Sequence, residues 1–188
     1  IQGYMLAGIA HEKLNQYNEA QLAFASAVKL APNNETANIA LINLQYISGD
    51  KKQALDNLAQ YLVINPLAIS ALAKQYLFAK SDGSESKVIN NIVSLVKKTP
   101  SDIPLTLLLA KIQFTEKQYS KVIDLLTPLE RLAEHSSNYW ELLGESYLIE
   151  KQYSKAKIHY KNWLNKASSN RKSVLGNLTL LDHYHQYE

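Results

Sequence analysis

Apolar residues recur at steps of three and four along most of the chain, as in Ala20, Phe24, Ala27 and in Leu109, Ile112. That spacing gathers them on one face of an α-helix. No run alternates apolar and polar residues as a half-buried strand would, so the pattern predicts an all-α chain. The periodic runs break at Asn15-Gln16, Ser48-Gly49-Asp50, the loop SDGSES over 81–86, Glu116-Lys117 and Glu150-Lys151. A second set of breaks contains Pro32-Asn33-Asn34 and Pro100-Ser101-Asp102. There a proline ends one helix, and Asn or Asp is placed to cap the next.

The breaks return at a fixed interval. Pro32, Pro66 and Pro100 are evenly spaced, closing the phrases AVKLAPNN, YLVINPLA and LVKKTPSD. The same step aligns Ala20, Ala54, Val88, Val122 and Ala156, then Phe24, Leu58, Ile92, Leu126 and Tyr160, then Ala27, Tyr61, Leu95, Leu129 and Trp163. A period of about 34 residues is the mark of a repeat architecture. Each copy reads as two helices, giving repeats at about 1–34, 35–68, 69–102, 103–136 and 137–170, with 171–188 as the first helix of a further or capping unit.

A single two-helix hairpin exposes an apolar face that it cannot cover alone, and stacking the next hairpin covers it. In the fifth copy, NYWELLGESYLIEKQYSKAKIHY over 138–160, small Gly144 and Ala156 let helices approach while Trp140, Tyr147 and Tyr160 fill the wider gaps. The rings are expected to be architectural, so truncating Trp140 or Tyr160 costs about 3–5 kcal/mol where the site is buried. The third copy fits less well, because Tyr76 falls in the column of Gly8, Ile42, Ala110 and Gly144. LAKQY over 72–76 resembles LGESY if that copy's first helix slides three residues toward Pro66, leaving the SDGSES loop to absorb three extra residues. The third copy is therefore expected to slide in this way.

These residues resemble the tetratricopeptide repeat family, whose signature is Trp-x2-Leu-Gly-x2-Tyr followed by Ala-x3-Phe and Pro. The likeness covers residues 1 to about 170, closest in the first copy (Tyr4, Ala7, Gly8, Ala20, Phe24, Ala27, Pro32) and the fifth. The third copy is degenerate, the fourth and fifth lack the closing proline, and His11 stands where Tyr is expected. The resemblance implies a right-handed α-solenoid, a superhelix of tandem two-helix hairpins whose first helices line a concave groove. It also implies binding of peptides or partner segments, and no catalysis.

First-helix residues not claimed by the core then line the groove. They are Met5, Ile9 and Glu12, then Ile39, Asn43 and Tyr46, then Lys74 and Leu77, then Leu107, Lys111 and Phe114, and finally Glu141, Glu145 and Leu148. The set is apolar for an inner wall, which marks an interaction strip or side chains covered by stacking. Its charge changes from Lys74 and Lys111 to Glu141 and Glu145, a gradient suited to orienting a bound segment. A clamp for chaperone C-terminal carboxylates is rejected, since Met5 and Ile9 occupy positions where that subfamily has Lys and Asn, and only Asn43 is of the required type.

Composition narrows the remaining chemistry. A net charge of +3 with scattered lysines gives no nucleic-acid stripe. No apolar run reaches the roughly 20 residues of a membrane span. With no cysteine, disulfides, thiolate metal sites and a cysteine nucleophile are excluded. His183 and His185 fall about 200° apart on a helix, the wrong spacing for a shared metal. His11, His135 and His159 stand alone, and the glycines are dispersed rather than gathered into a phosphate loop. The expectation is a protein with no enzyme activity, cofactor or metal, whose partner is a protein or peptide. Ile1 stands where a start would carry Met, so the natural beginning is expected to be missing and the compartment is not readable from a leader. The alternative is a spacer or assembly scaffold that self-associates through the ends of the array. The wording of the units also resembles bacterial envelope tetratricopeptide proteins, among them lipoproteins of exopolysaccharide export and protein sorting, which implies a periplasmic setting.

Overall fold

The computed structural model describes residues 1–166. The helix expected over 171–188, with Asp182, His183 and His185, lies outside the described residues, as does the end of the fifth repeat. Among the described residues every regular element is helical: α1 Gln2–Lys13, α2 Tyr17–Leu30, α3 Glu35–Ile47, α4 Lys51–Ile64, α5 Ile69–Asp82, α6 Glu85–Lys98, α7 Ile103–Thr115, α8 Tyr119–Leu126, α9 Glu130–Ala133, α10 Ser137–Ile149 and α11 Tyr153–Lys166. The chain divides into two compact units, Ile1–Ile92 and Val93–Glu188, with the division inside α6.

In the first unit α1 pairs with α2, α2 packs on α3, α3 pairs with α4, and α5 packs on both α3 and α4. One core cluster joins Ala20 and Phe24 of α2 to Leu44 of α3; another joins Ile42, Ala54, Leu58 and Tyr61 to Ala71 and Phe78 of α5. Each hairpin therefore closes the apolar face of the next. In the second unit α10 packs on α7, α8 and α11 around Trp140, Leu143, Tyr147, Ala156, Tyr160 and Trp163.

The turns explain the constancy of the step. Between the two helices of each copy one residue adopts positive φ: Asn15 at 58°, Gly49 at 105°, Gly83 at 76°, Lys117 at 59° and Lys151 at 57°. These fall in a single column, each one period after the last. The left-handed residue lets the following N–H return to the last helical turn, as Gln16 donates to the His11 carbonyl (2.9 Å), Ser84 to Ala79 (2.9 Å), Gln118 to Gln113 (2.8 Å) and Gln152 to Tyr147 (2.8 Å). Between copies, Asn34, Asp102 and Ser136 cap α3, α7 and α10 by accepting from Ala37, Leu105 and Tyr139. The member of this column that opens the third copy is Ala68, which has no side chain to offer. There the Glu35 carboxylate reaches over from α3 and accepts from the backbone of Ser70 (2.6 Å) and Ala71 (3.2 Å), the two donors a capping side chain would satisfy.

One expectation is corrected. The third copy does not slide: α5 begins at Ile69, one full period after Glu35, and α6 begins at Glu85, one full period after Lys51, so the SDGSES loop absorbs nothing extra. Gly83 is simply the left-handed residue of its column. Tyr76 is buried in the close-approach column, and the ring column of that copy holds the smaller Ile92, which is buried too. The second helix of the fourth copy is not continuous. Pro128 lacks an N–H and cannot extend the ladder, so α8 gives way to a 3-10 turn over Thr127–Leu129 before α9 resumes.

Candidate partner-binding face

The residues expected to line a groove lie on the first helices of both units, and their surroundings differ between the units. In the first unit Met5 on α1 packs against the cluster of Ala20, Phe24 and Leu44, while Ile39 and Tyr46 on α3 pack against the cluster of Ile42, Leu58 and Phe78. Ile9 stays 41% exposed and Leu77 54% exposed, with Glu12 half-buried. In the second unit Leu107, Phe114 and Leu148 pack against the Trp140 cluster, and Phe114 meets Tyr119 edge to face at 5.1 Å. Lys111 and Glu145 are exposed and Glu141 is half-buried. Both glutamates lie near enough to Tyr160 that their charge adds to burial in pushing its phenol pKa up. Stacking thus covers much of the apolar strip, leaving Ile9 and Leu77 as its most exposed members.

One group of predicted residues is brought together. Lys74 Nζ on α5 donates to Asn43 Oδ1 on α3 at 2.9 Å and lies 5.7 Å from the centre of the Phe78 ring. Phe78 stacks on Tyr46 with centroids 3.7 Å apart and planes 5° from parallel. The Tyr46 hydroxyl shares a 2.7 Å hydrogen bond with Ser81, and the Lys51 ammonium lies over the Tyr46 ring, 5.2 Å from its centre. Lys74 is half-buried, and both contacts of its ammonium, an amide oxygen and a phenyl face, are uncharged. An ammonium partly withdrawn from water and held by neutral groups keeps donor capacity for an incoming anion.

The sequence reading missed Phe78, Ser81 and Lys51. Phe78 sits in the column of Leu44 and Ile112, both buried, which marked it as core without marking the neighbour it stacks on. His159 was also set aside as isolated, yet it is buried in the second unit. Among the described residues no three His, Asp or Glu side chains gather so as to hold a metal ion. No described helix is long and apolar enough to cross a membrane.

No protein-family model matches the chain, and no curated sequence matches it significantly. Solved structures do. TTC0263, a tetratricopeptide protein of Thermus thermophilus, is 20% identical with a TM-score of 0.59 over 96% of this chain and 98% of that one. Pseudomonas aeruginosa PilF is 14% identical, with a TM-score of 0.62 over 98% of this chain and 84% of that one. PilW, a type IV pilus biogenesis factor, is 13% identical, with a TM-score of 0.59 over 99% and 90%. At these identities the likeness is one of fold: tandem helical hairpins of the tetratricopeptide solenoid.

Proposed function

We propose that this tetratricopeptide-type chain is a protein-interaction module that holds a segment of a partner protein against the inner faces of its first helices. The observation that carries the reading is Lys74, half-buried between Asn43 and Phe78 with no charged group in contact among the described residues, on the same helix as exposed Leu77. Such a pair suits a segment that places an acidic group beside an apolar one. Lys111 on α7 and Glu141 and Glu145 on α10 form the recognition surface of the second unit, where charge sets orientation and association rate more than affinity. The reading is non-catalytic: the surface offers hydrogen bonds, rings and charge.

Peptides selected from a displayed library against the intact chain supply the test ligand. Lys74→Glu is expected to weaken their binding by tenfold or more, and Lys74→Glu with Lys111→Glu at least as much, with helicity by circular dichroism unchanged. Unaltered affinity in the double variant removes the site.

The second reading is a spacer or assembly element of a bacterial envelope protein serving exopolysaccharide export or protein sorting; PilW, whose fold this chain shares, is a type IV pilus biogenesis factor. Under this reading the chain self-associates through the ends of its array, and sedimentation shows mass rising with concentration in the absence of any second protein.

A further inference from the structure

His159 on α11 is 6% exposed and stands inside a ring of aromatic side chains. Its centroid lies 4.7 Å from that of Trp140, 5.8 Å from Tyr139, and 5.9 Å from both Tyr147 and Tyr160. Nε2 is 2.9 Å from the Trp140 carbonyl oxygen on α10. A carbonyl only accepts, so Nε2 carries a hydrogen, and in the neutral ring Nδ1 is then the bare acceptor. The imidazole therefore pins α11 to α10 as an uncharged donor in an apolar box. Trp140 stacks in turn on Trp163, with centroids 6.2 Å apart.

We infer that the fifth hairpin is an acid-sensitive latch: protonation of His159 releases α11 from α10 and exposes the aromatic surface of Trp140, Tyr160 and Trp163. The direction follows from where the proton prefers to bind. Freed into water, the imidazole takes a proton near its ordinary 6.5; docked, burial holds its pKa down to about 4, against a smaller opposing effect of the Trp140 hydrogen bond. Between those values the open form binds more protons than the closed one, so falling pH favours opening and rising pH favours closure. The open-to-closed ratio grows by up to about tenfold per unit fall in pH through that window.

Among the described residues, charged and titratable groups stand near the latch on α9, α10 and α11. On α10 Tyr139 and Tyr147 face the ring, and Glu141 and Glu145 act on Tyr160. On α11 Tyr160 faces it and Lys155 lies 5.9 Å from the Tyr147 ring centre. On α9 Glu130 accepts from Asn162, and beyond its end Glu134 pairs with Lys166. The phenols of Tyr139 and Tyr160 are pushed up by burial, away from the window, and the Lys166 partnership holds Glu134 down. Any carboxylate-driven opening is retained in a His159 variant, which separates it from the histidine's own effect.

The chain carries its own probe, because its two tryptophans are Trp140 and Trp163. Tryptophan emission is followed from about pH 8 to about pH 4 on the intact chain, beside far-ultraviolet circular dichroism. The expected result is a red shift of emission with its midpoint between about 4 and 6.5 while most helicity persists. In His159→Gln, whose amide still donates to the Trp140 carbonyl, that transition is lost or moved below about pH 4. His159→Phe, which fills the box without a titratable group, behaves alike. Emission that stays unshifted to about pH 4, or shifts identically in a folded variant, overturns the latch. Should one variant fail to fold at about pH 8, the other decides.

Discussion

The close-approach column and the ring column pair small residues with large ones in the first and fifth copies. Where the first helix offers Gly8 or Gly144, the second offers Phe24 or Tyr160; where it offers Tyr76, the partner column has Ile92; Ile42 goes with Leu58 and Ala110 with Leu126. A Cβ added at Gly8 would stand 2.4 Å from the Phe24 ring, and one at Gly144 2.6 Å from Tyr160. Both rings are buried, so neither can swing aside. The helix-propensity gain of Gly→Ala, up to about 1 kcal/mol, is then outweighed by overpacking of roughly 1–3 kcal/mol. Gly8→Ala is expected to lower stability in urea unfolding, whereas Gly3→Ala, with open space around its Cβ, is neutral or slightly stabilising. The small-residue column was legible in sequence. The size pairing was not, because a single column shows Tyr76 as a misfit and only the facing column shows the smaller Ile92 in the same copy.

At the scale of elements, the constant interval set where helices start, and the structure holds that interval in the copy the sequence reading had displaced. The side-chain likeness of LAKQY to LGESY points to a slide, but Gly83 stands in register with Asn15 and Gly49 and fixes the turn. Pro128 falls within the second helix of its copy, and the period alone carries no sign of the break it makes. The Glu35 cap lay beyond sequence reasoning, since it joins the start of one copy to the start of the next. It also yields a double-variant cycle. Glu35→Ala is expected to cost about 0.5–2 kcal/mol by stranding the Ser70 and Ala71 donors. In an Ala68→Asp background, where the local side chain takes those donors, the same change should cost little. Non-additivity in chemical denaturation checks this, and equal costs in both backgrounds would remove the cross-copy cap.

For the whole molecule, the all-α hairpin architecture was written in the pattern, since five copies repeat it and each miss is averaged out. The proposed binding face was only partly legible: periodicity placed Asn43, Tyr46, Lys74 and Leu77 on first helices, but not how far stacking would bury them. The hydrogen bond from Lys74 to Asn43 and the stacking of Tyr46 on Phe78 turn a row of projected side chains into a defined surface of the first unit. The central claim is that this surface, rather than the outer helices, receives the partner. Site-specific photo-crosslinking with a selected peptide tests it most directly, with the reactive group placed at Leu77 on α5 or at Leu22 on α2, both well exposed. The account predicts a crosslink from Leu77 that Lys74→Glu abolishes, and none from Leu22. Equal capture from both positions, or capture at Leu77 indifferent to Lys74, would contradict it.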